Sequence, residues 1–266
     1  MAVNLAGGCR VSHMHEGEPL VEGTLRVWNQ IGRATGAEAI SMSVMEFAPG
    51  LSPGIQNEDC DETLYVERGH LARLSERSER TEPFASITID GDQFEIGPAT
   101  GIYIRPNQTF AIENPGPDSI VIISAQCPDP DSAPRFVEPP TASSDSSRLD
   151  RPPIVRLADR PAQPTADRWY RVLVDHEIGS EQVTQFVGSI PPGRAPDHFH
   201  NYEEVLFILK GEGRMWAGET NTPIGVGSCI YLPQGQVHCV ENTGTGELRL
   251  LGVFYPAGSP SVRYDV

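Results

Sequence analysis

The sequence predicts an all-β fold made of two tandem barrels. Glycine and proline are abundant, with 26 and 24 residues among 266, and they separate short apolar runs that alternate as β-strands do. No long segment has a convincing 3.6-residue period, so long helices are not expected. Three short sequence matches recur in the same order in both halves, which indicates a duplicated unit.

Seven runs have the pattern of strands closed by turns. Each is enriched in β-branched, aliphatic or aromatic residues and is followed by a glycine or proline. They are the segments 86–97, 100–106, 119–127, 184–193, 204–211, 228–235 and 247–256. The chain is therefore expected to be mostly β.

The duplication shows in two long matches. Segment Glu62–Gly69 matches Glu204–Gly211, with six residues between glutamate and glycine in both copies. Segment Ile102–Asn114 matches Ile230–Asn242, and a Pro-Gly pair precedes each copy. From glutamate to asparagine the first copy runs 52 positions and the second 38. The charged run Arg73–Pro83 is the expected insertion, interpreted as a solvated loop.

We expect four parts in the chain: an N-terminal segment over 1–24, a first barrel over 25–127, a linker over 128–164 and a second barrel over 165–266. The linker is rich in Pro, Ser and Asp, a composition that cannot bury a core. It could cross either barrel as an ordered strap. His13 and His15 lack a following glutamate at metal-site spacing and are interpreted as tail residues.

Charge and composition limit the classes of partner. The net charge of −16 argues against nucleic-acid binding, which needs a basic surface. No apolar run approaches the roughly 20 residues of a membrane span, and no secretory signal is evident, so a cytoplasmic protein is expected. The chain has an odd number of cysteines, five, which are widely spaced and form no CxxC pair. This pattern is typical of reduced thiols.

Four candidate metal ligands fall in the second copy. His198 and His200 lie two apart on a predicted strand and therefore face the same side. Glu204 begins the next strand, while alternation turns its neighbour Glu203 outward. His238 re-enters the sheet after a hairpin shaped by glycine and proline. Three imidazoles and a carboxylate suit one divalent ion: Fe(II), Mn(II), Ni(II) or Zn(II).

These two elements resemble the signature motifs of the cupin superfamily: glycine, HxH, x3-Glu-x6-Gly, then G-x5-P-x-G-x2-H-x3-N. The second motif matches at every defined position. The first has four residues between Gly193 and His198 where the usual pattern has five. The resemblance implies two tandem double-stranded β-helix (jelly-roll) barrels, a bicupin, with an intact metal site in the C-terminal barrel.

The first copy lacks the corresponding ligands. Alignment on Glu62 places Gln56 and Glu58 at the positions of the two histidines, and alignment on Asn114 places Phe110 at the position of His238. A structural role for this barrel is expected. Weak binding of a hard cation by Glu58 and Glu62 is the alternative.

The resemblance implies a wide range of activities. Because the family is rich in dioxygenases that use such a ligand set, it favours an Fe(II) dioxygenase acting on a small phenol, enol or diketone-like molecule. Non-redox isomerisation, decarboxylation, cyclisation or hydrolysis is the alternative within metal enzymes. A small-molecule-binding protein without turnover is the alternative outside them. Either a homodimer or a pseudo-dimeric monomer is expected.

Residues near the motifs are candidates for contacts around the metal. Tyr202 and Gln236 adjoin ligands on turns and are expected to support them. No anion clamp is evident, although Arg194 and Arg214 flank the site in sequence. The candidates for substrate contact are Gln185, Phe207, Arg214, Trp216 and Phe254.

Overall fold

The computed structural model describes residues 1–67, 85–143 and 151–261, together with the backbone of 264–265. The proposed insertion at Arg73–Pro83 lies outside the described residues. Strands dominate, arranged in four antiparallel sheets, two to each half of the chain. The described helices are single 3-10 turns at Ala6–Gly8, Arg33–Thr35, Leu157–Asp159 and His176–Ile178.

The first fifteen strands include those of the N-terminal barrel. In chain order they are β1 (Val3–Asn4), β2 (Arg10–His13), β3 (Leu20–Glu22), β4 (Leu25–Ile31), β5 (Ser41–Phe47), β6 (Gly50–Leu51), β7 (Gly54–Gln56), β8 (Asp61–Val66), β9 (Ala85–Ile89), β10 (Asp92–Ile96), β11 (Thr100–Ile104), β12 (Thr109–Asn114), β13 (Ile120–Cys127), β14 (Arg135–Val137) and β15 (Ile154–Arg156).

The remaining twelve strands belong to the C-terminal barrel. They are β16 (Gln163–Thr165), β17 (Arg168–Val174), β18 (Thr184–Ile190), β19 (Gly193–Arg194), β20 (His198–Phe199), β21 (Glu203–Lys210), β22 (Glu212–Ala217), β23 (Thr220–Gly225), β24 (Ser228–Leu232), β25 (His238–Asn242), β26 (Leu248–Tyr255) and β27 (Tyr264–Asp265).

Each barrel is a large sheet facing a smaller one. The large sheet of the N-terminal barrel has the strand order β15-β11-β8-β13-β5-β4-β3, and the smaller sheet has the order β10-β9-β12-β7-β14. The large sheet of the C-terminal barrel has the order β1-β2-β24-β21-β26-β18-β17-β16, and the smaller sheet has the order β23-β22-β25-β20-β27. Each interior contains a cluster of aliphatic and aromatic side chains from alternate strand positions. The chain thus forms two all-β jelly-roll barrels in tandem, as the repeat predicts.

The outer faces of the two large sheets pack against each other. Val44 and Tyr65 from one barrel share a buried cluster with Val205, Phe207 and Tyr231 from the other. The large sheets are therefore apolar on both faces, and alternation of apolar with polar residues is weak in them. Within this one chain the barrels pair as the halves of a dimer would.

Buried polar groups link the barrels beside this core. The carboxylate of Glu203 accepts hydrogen bonds from the backbone amides of Glu38 (3.0 Å) and Ala39 (2.7 Å) in the other barrel, and from the Tyr231 hydroxyl (2.5 Å). Glu203 does point away from the barrel interior, but into the interface rather than into solvent. A carboxylate of the first barrel makes a similar contact. Asp61 accepts a hydrogen bond from Tyr103 of its own barrel and another from Gln182 of the second barrel.

Two short strands cross between the barrels. Strand β2, in the segment before the first barrel, pairs with β24 of the second, and β15, in the segment before the second barrel, pairs with β11 of the first. His13, interpreted from sequence as a tail residue, therefore lies on a strand opposite Ser228. His15 packs against the Trp28 ring with 4.7 Å between centroids. Within the described residues no helix has the length and apolarity needed to span a bilayer.

Candidate metal centre

Three imidazoles meet inside the C-terminal barrel. The ligand atoms of His198, His200 and His238 lie within 4.8 Å of one another. Strand register explains the meeting, since His198 lies directly opposite His238 across β20 and β25. The amide of Gly235 donates to the carbonyl of His200 at 2.7 Å, which ties the hairpin before β25 to the second histidine. In the described part of the chain this is the group of His, Cys, Asp and Glu side chains whose geometry could hold an ion.

Backbone carbonyls orient two of the imidazoles. Nδ1 of His198 lies 3.1 Å from the carbonyl oxygen of Pro196, and Nδ1 of His238 lies 2.8 Å from that of Gln236. A carbonyl oxygen only accepts, so each Nδ1 carries the hydrogen and each Nε2 keeps a lone pair. Such contacts hold metal-ligating histidines in one tautomer and one ring orientation. The two Nε2 atoms are thus suited to bind a cation.

A buried carboxylate lies beside the histidines. Oε2 of Glu204 is 3.4 Å from Nε2 of His200, and both side chains are buried. Burial raises the pKa of Glu204 to about 8, and burial, followed by the neighbouring His198, lowers the pKa of His238 to about 4. Both pKa shifts favour the uncharged form of the side chain, which is the protonated acid for Glu204 and the neutral imidazole for His238. A bound divalent cation would favour the ionised carboxylate of Glu204 and would also favour the neutral imidazole of His238. The donor set fits a divalent metal ion.

Aromatic rings support the second histidine. The Tyr202 ring stacks on His200 with 4.7 Å between centroids and 9° between planes, and its other side stacks on Phe254 at 4.5 Å. Phe254 in turn packs against Phe186 at 6.0 Å. Gln236 supports His238 through its main-chain carbonyl, while its side-chain amide donates to the carbonyl of Val237.

A small cavity lies over the histidines. Its volume is about 130 Å³, small beside the roughly 300–1,000 Å³ of drug-sized ligand pockets. The wall is mostly apolar and carries one arginine, Arg168. Besides His198, His200, Glu204 and His238, the lining includes Trp169, Tyr170, Phe186, Ile190, Leu206, Val240 and Leu250. The cavity suits a small molecule that reaches the imidazoles.

None of the five predicted substrate contacts lines this cavity. Gln185 and Phe207 are fully buried on the faces of β18 and β21 that turn toward the first barrel. Arg214 is exposed and donates to Asn221, and the indole of Trp216 donates to Glu241. The interior positions on β18 and β21 are Phe186 and Leu206 instead. Phe254 does face the barrel interior, behind Tyr202.

Arg194 is also turned away from the cavity. Its guanidinium stacks over the Trp216 ring at 4.2 Å, and it donates hydrogen bonds to Sγ of Cys239 and to Asp197. Cys239 faces the side of β25 opposite His238, as strand alternation predicts. Neither arginine that flanks the site in sequence therefore serves as an anion clamp, and Arg168 is the cavity's guanidinium.

The first barrel has apolar side chains at two of the three positions where the second has histidines. In β7 and β12 it is Ile55 that lies opposite Phe110, the position equivalent to His198 opposite His238. Gln56 is therefore displaced by one residue from the position that alignment on Glu62 assigns to it. Glu58 is exposed, and Glu62 is fully buried. Neither carboxylate belongs to the group of described side chains whose geometry could hold an ion.

The comparisons with known proteins agree with this architecture. Residues 186–254, which contain all four ligand candidates, match the family model "Cupin domain". A deletion variant of oxalate decarboxylase from Bacillus subtilis aligns with a TM-score of 0.72 at 14% identity, covering 92% of this chain and 76% of that one. A structure from a study of the Mn(II) centres of the same enzyme gives 0.73 at 14% identity, covering 94% and 78%. Residues 186–254 thus match a cupin domain, and the whole chain has the fold of these solved structures.

Two curated relatives match shorter segments. Auxin-binding protein 1 from Arabidopsis thaliana is 34% identical over 83 residues, covering 27% of this chain and 42% of the relative. An oxalate-binding protein from Thermotoga maritima is 36% identical over 66 residues, covering 24% and 54%. The chain thus spans about half the length of the curated relatives it matches.

Proposed function

We propose that this protein is a divalent-metal-dependent enzyme that acts on a small carboxylic acid, with non-redox decarboxylation as its reaction. The observation that carries the proposal is the three-histidine, one-glutamate cluster below a small apolar cavity that also contains Arg168. The fold shared with oxalate decarboxylase and the sequence likeness to an oxalate-binding protein support a carboxylate ligand.

The side chains of the cavity have separable roles in this proposal. A divalent ion held by His198, His200, Glu204 and His238 would bind a substrate oxygen and act as a Lewis acid. Nε of Arg168 donates to Asp167 at 3.0 Å. The remaining N–H groups of this guanidinium would pair with a substrate carboxylate, since guanidinium matches carboxylate geometry.

The apolar wall of Phe186, Leu206 and Leu250 excludes water from the bond that breaks. The carbon–carbon bond to the carboxylate breaks, carbon dioxide leaves, and the electron pair stays on carbon until it takes one proton from solvent. The reaction therefore needs no oxidant.

The Fe(II) dioxygenase favoured by the sequence is the alternative. The named structural relatives are decarboxylases, and one of them is described through its Mn(II) centres. A divalent metal is thus supported without a preference for iron. A binding protein without turnover is the second candidate, favoured by the names of both curated relatives.

The test is an assay of the full-length protein loaded separately with Mn(II), Fe(II) or Zn(II). Oxalate and a panel of small mono- and dicarboxylates are supplied while carbon dioxide release and oxygen uptake are recorded together. Release of carbon dioxide without oxygen consumption supports the proposal. Stoichiometric oxygen uptake supports the dioxygenase instead, and saturable binding without turnover supports the binding protein.

Arginine variants test the substrate class. We expect Arg168→Ala to raise KM for the active carboxylate at least tenfold, because the cavity loses its positive charge. Arg214→Ala removes the same charge from the outer surface and should leave KM unchanged. Equal effects of the two substitutions would contradict a carboxylate contact at Arg168.

A further inference from the structure

The first barrel has a cavity of its own. Its volume is about 290 Å³, larger than the cavity over the histidines. It reaches from Glu62 and Ile55 in the interior to a mouth between segments 32–35 and 131–134. The barrel that lacks the histidines is therefore not filled by its own side chains.

Strand register allows the two interiors to be compared position by position. In the second barrel Val172, Phe186 and Gly252 lie side by side across three strands. In the first barrel the same row is Asn29, Ser43 and Ser124. Beside it, Phe254 lies opposite Glu204 in the second barrel, and Gln126 lies opposite Glu62 in the first.

The two interiors thus have opposite polarity. Where the second barrel has a polar imidazole floor and an apolar wall, the first has an apolar floor of Ile55 and Phe110 and a wall of hydroxyl and amide groups. Replacement of two phenylalanines by Ser43 and Gln126 accounts for both the greater volume and the different opening. Loss of a metal site explains the apolar floor, but it does not explain a new polar wall.

Some of the polar groups in this wall form hydrogen bonds with one another or with neighbouring side chains. Ser43 donates to Asn29 at 2.8 Å, Ser124 donates to Oε1 of Glu62 at 2.6 Å, and Gln126 donates to Asn57 at 3.3 Å. Oε2 of Glu62 is buried and accepts no hydrogen bond of normal geometry from the described residues, although Gln126 lies close enough to lower the pKa of this carboxyl. A buried unpartnered oxygen is costly, and a donor supplied by a ligand would offset that cost.

We propose that this cavity binds a small uncharged polyhydroxy compound, independently of metal. Asn29, Ser43 and Gln126 carry both donors and acceptors, as the hydroxyls of a polyol do. The carboxylates of Glu62, Asp129 and Asp131 line the same space. Arg33 lines it too, but its guanidinium lies 3.9 Å from Asp131, so the surplus of carboxylates disfavours an anion. The site is separate from the metal centre and does not depend on the reaction proposed above.

The test is saturation-transfer NMR on the full-length protein with glycerol, ribose, glucose and myo-inositol, followed by titration of any compound that binds. We expect at least one of them to bind saturably. Ser43→Phe restores the ring of the second barrel and should weaken that binding at least tenfold. Gln126→Leu removes two hydrogen-bonding groups at similar volume and should weaken it in the same direction.

His198→Ala identifies the barrel that binds. It alters the metal centre and should leave polyol binding unchanged. The proposal is overturned if none of the four compounds binds. Binding that survives both Ser43→Phe and Gln126→Leu but is lost in His198→Ala would also overturn it, because the ligand would then lie in the second barrel. Saturable binding of acetate or ethylamine with no polyol bound would contradict the assigned ligand class.

Discussion

Glu62 offers a test of the first barrel that is independent of activity. Its carboxyl is fully buried, and burial raises its pKa from an ordinary 4.5 to about 7, although the Ser124 hydroxyl opposes the rise. The folded protein therefore holds the proton more tightly than the unfolded chain does. Below pH 4.5 the group is protonated in both states and costs nothing. As the pH rises through 7, the folded state must carry a buried carboxylate, and stability falls.

The size of the effect follows from the two pKa values. Each pKa unit corresponds to about 1.4 kcal/mol, so a difference of 2.5 corresponds to about 3 kcal/mol at pH 8. Glu62→Gln replaces the acid with a neutral side chain of nearly the same shape. We expect the variant to exceed the wild type in unfolding free energy by up to about 3 kcal/mol at pH 8 and to match it near pH 4.5.

The assay is urea denaturation of the wild type and Glu62→Gln from pH 4.5 to 8.5, with metal content measured in parallel. Glu113→Gln, an exposed carboxylate on the same barrel, is the matched control and should show no such pH dependence. A variant less stable than the wild type at pH 8, or one that loses bound metal, would refute the reasoning. Either result would mean that the Glu62 carboxylate has a partner that needs its charge.

Two further substitutions test the metal support and the interface. Tyr202→Ala removes the ring between His200 and Phe254 and should weaken metal affinity about 10- to 100-fold in competition with a chromophoric chelator, whereas Tyr202→Phe keeps the stack and should bind normally. Equal affinity of the two variants would contradict a supporting role for the ring. Phe207→Ala empties a fully buried position between the barrels and should lower the unfolding free energy by about 3–5 kcal/mol, while the exposed Leu51→Ala should change it by less than about 0.5 kcal/mol. A small effect of Phe207→Ala in urea denaturation would mean that the barrels are stabilised separately.

Much of the architecture follows from the sequence because it rests on repeated local patterns. Glycines and prolines end each strand, and the two long matches reveal the duplication. Strand alternation places His198 and His200 on one side, and the resemblance to the cupin motifs adds Glu204 and His238. The structure brings the three imidazoles together and sets Glu204 beside them.

The residues that line the cavity could not be predicted from the sequence, for a physical reason. Alternation shows that Gln185 and Phe186 face opposite sides of β18, but not which side is the interior. In an isolated barrel the polar face of the sheet would identify the outer side. Here the other barrel covers the outer face, and apolar residues such as Phe207 occupy it, so polarity does not distinguish the two sides. Arg168 lies next to a short hairpin, far from the motifs in sequence, so no motif points to it.

The crossing strands are equally hard to infer. Strand β2 pairs with a strand more than 200 residues away in the chain, and neither β2 nor β15 exceeds four residues. Such short segments carry little periodicity, and their pairing depends on how the barrels dock. The displacement of Gln56 by one residue is likewise visible only in the strand register.

The most direct test of the central claim is the metal content of the purified protein, determined by elemental analysis after dialysis. The wild type should retain one divalent ion per chain, and His238→Ala should retain none while keeping its β-sheet circular dichroism spectrum. Retention of the ion by a folded His238→Ala protein would contradict the assignment of the centre to these four side chains, as would two ions per wild-type chain.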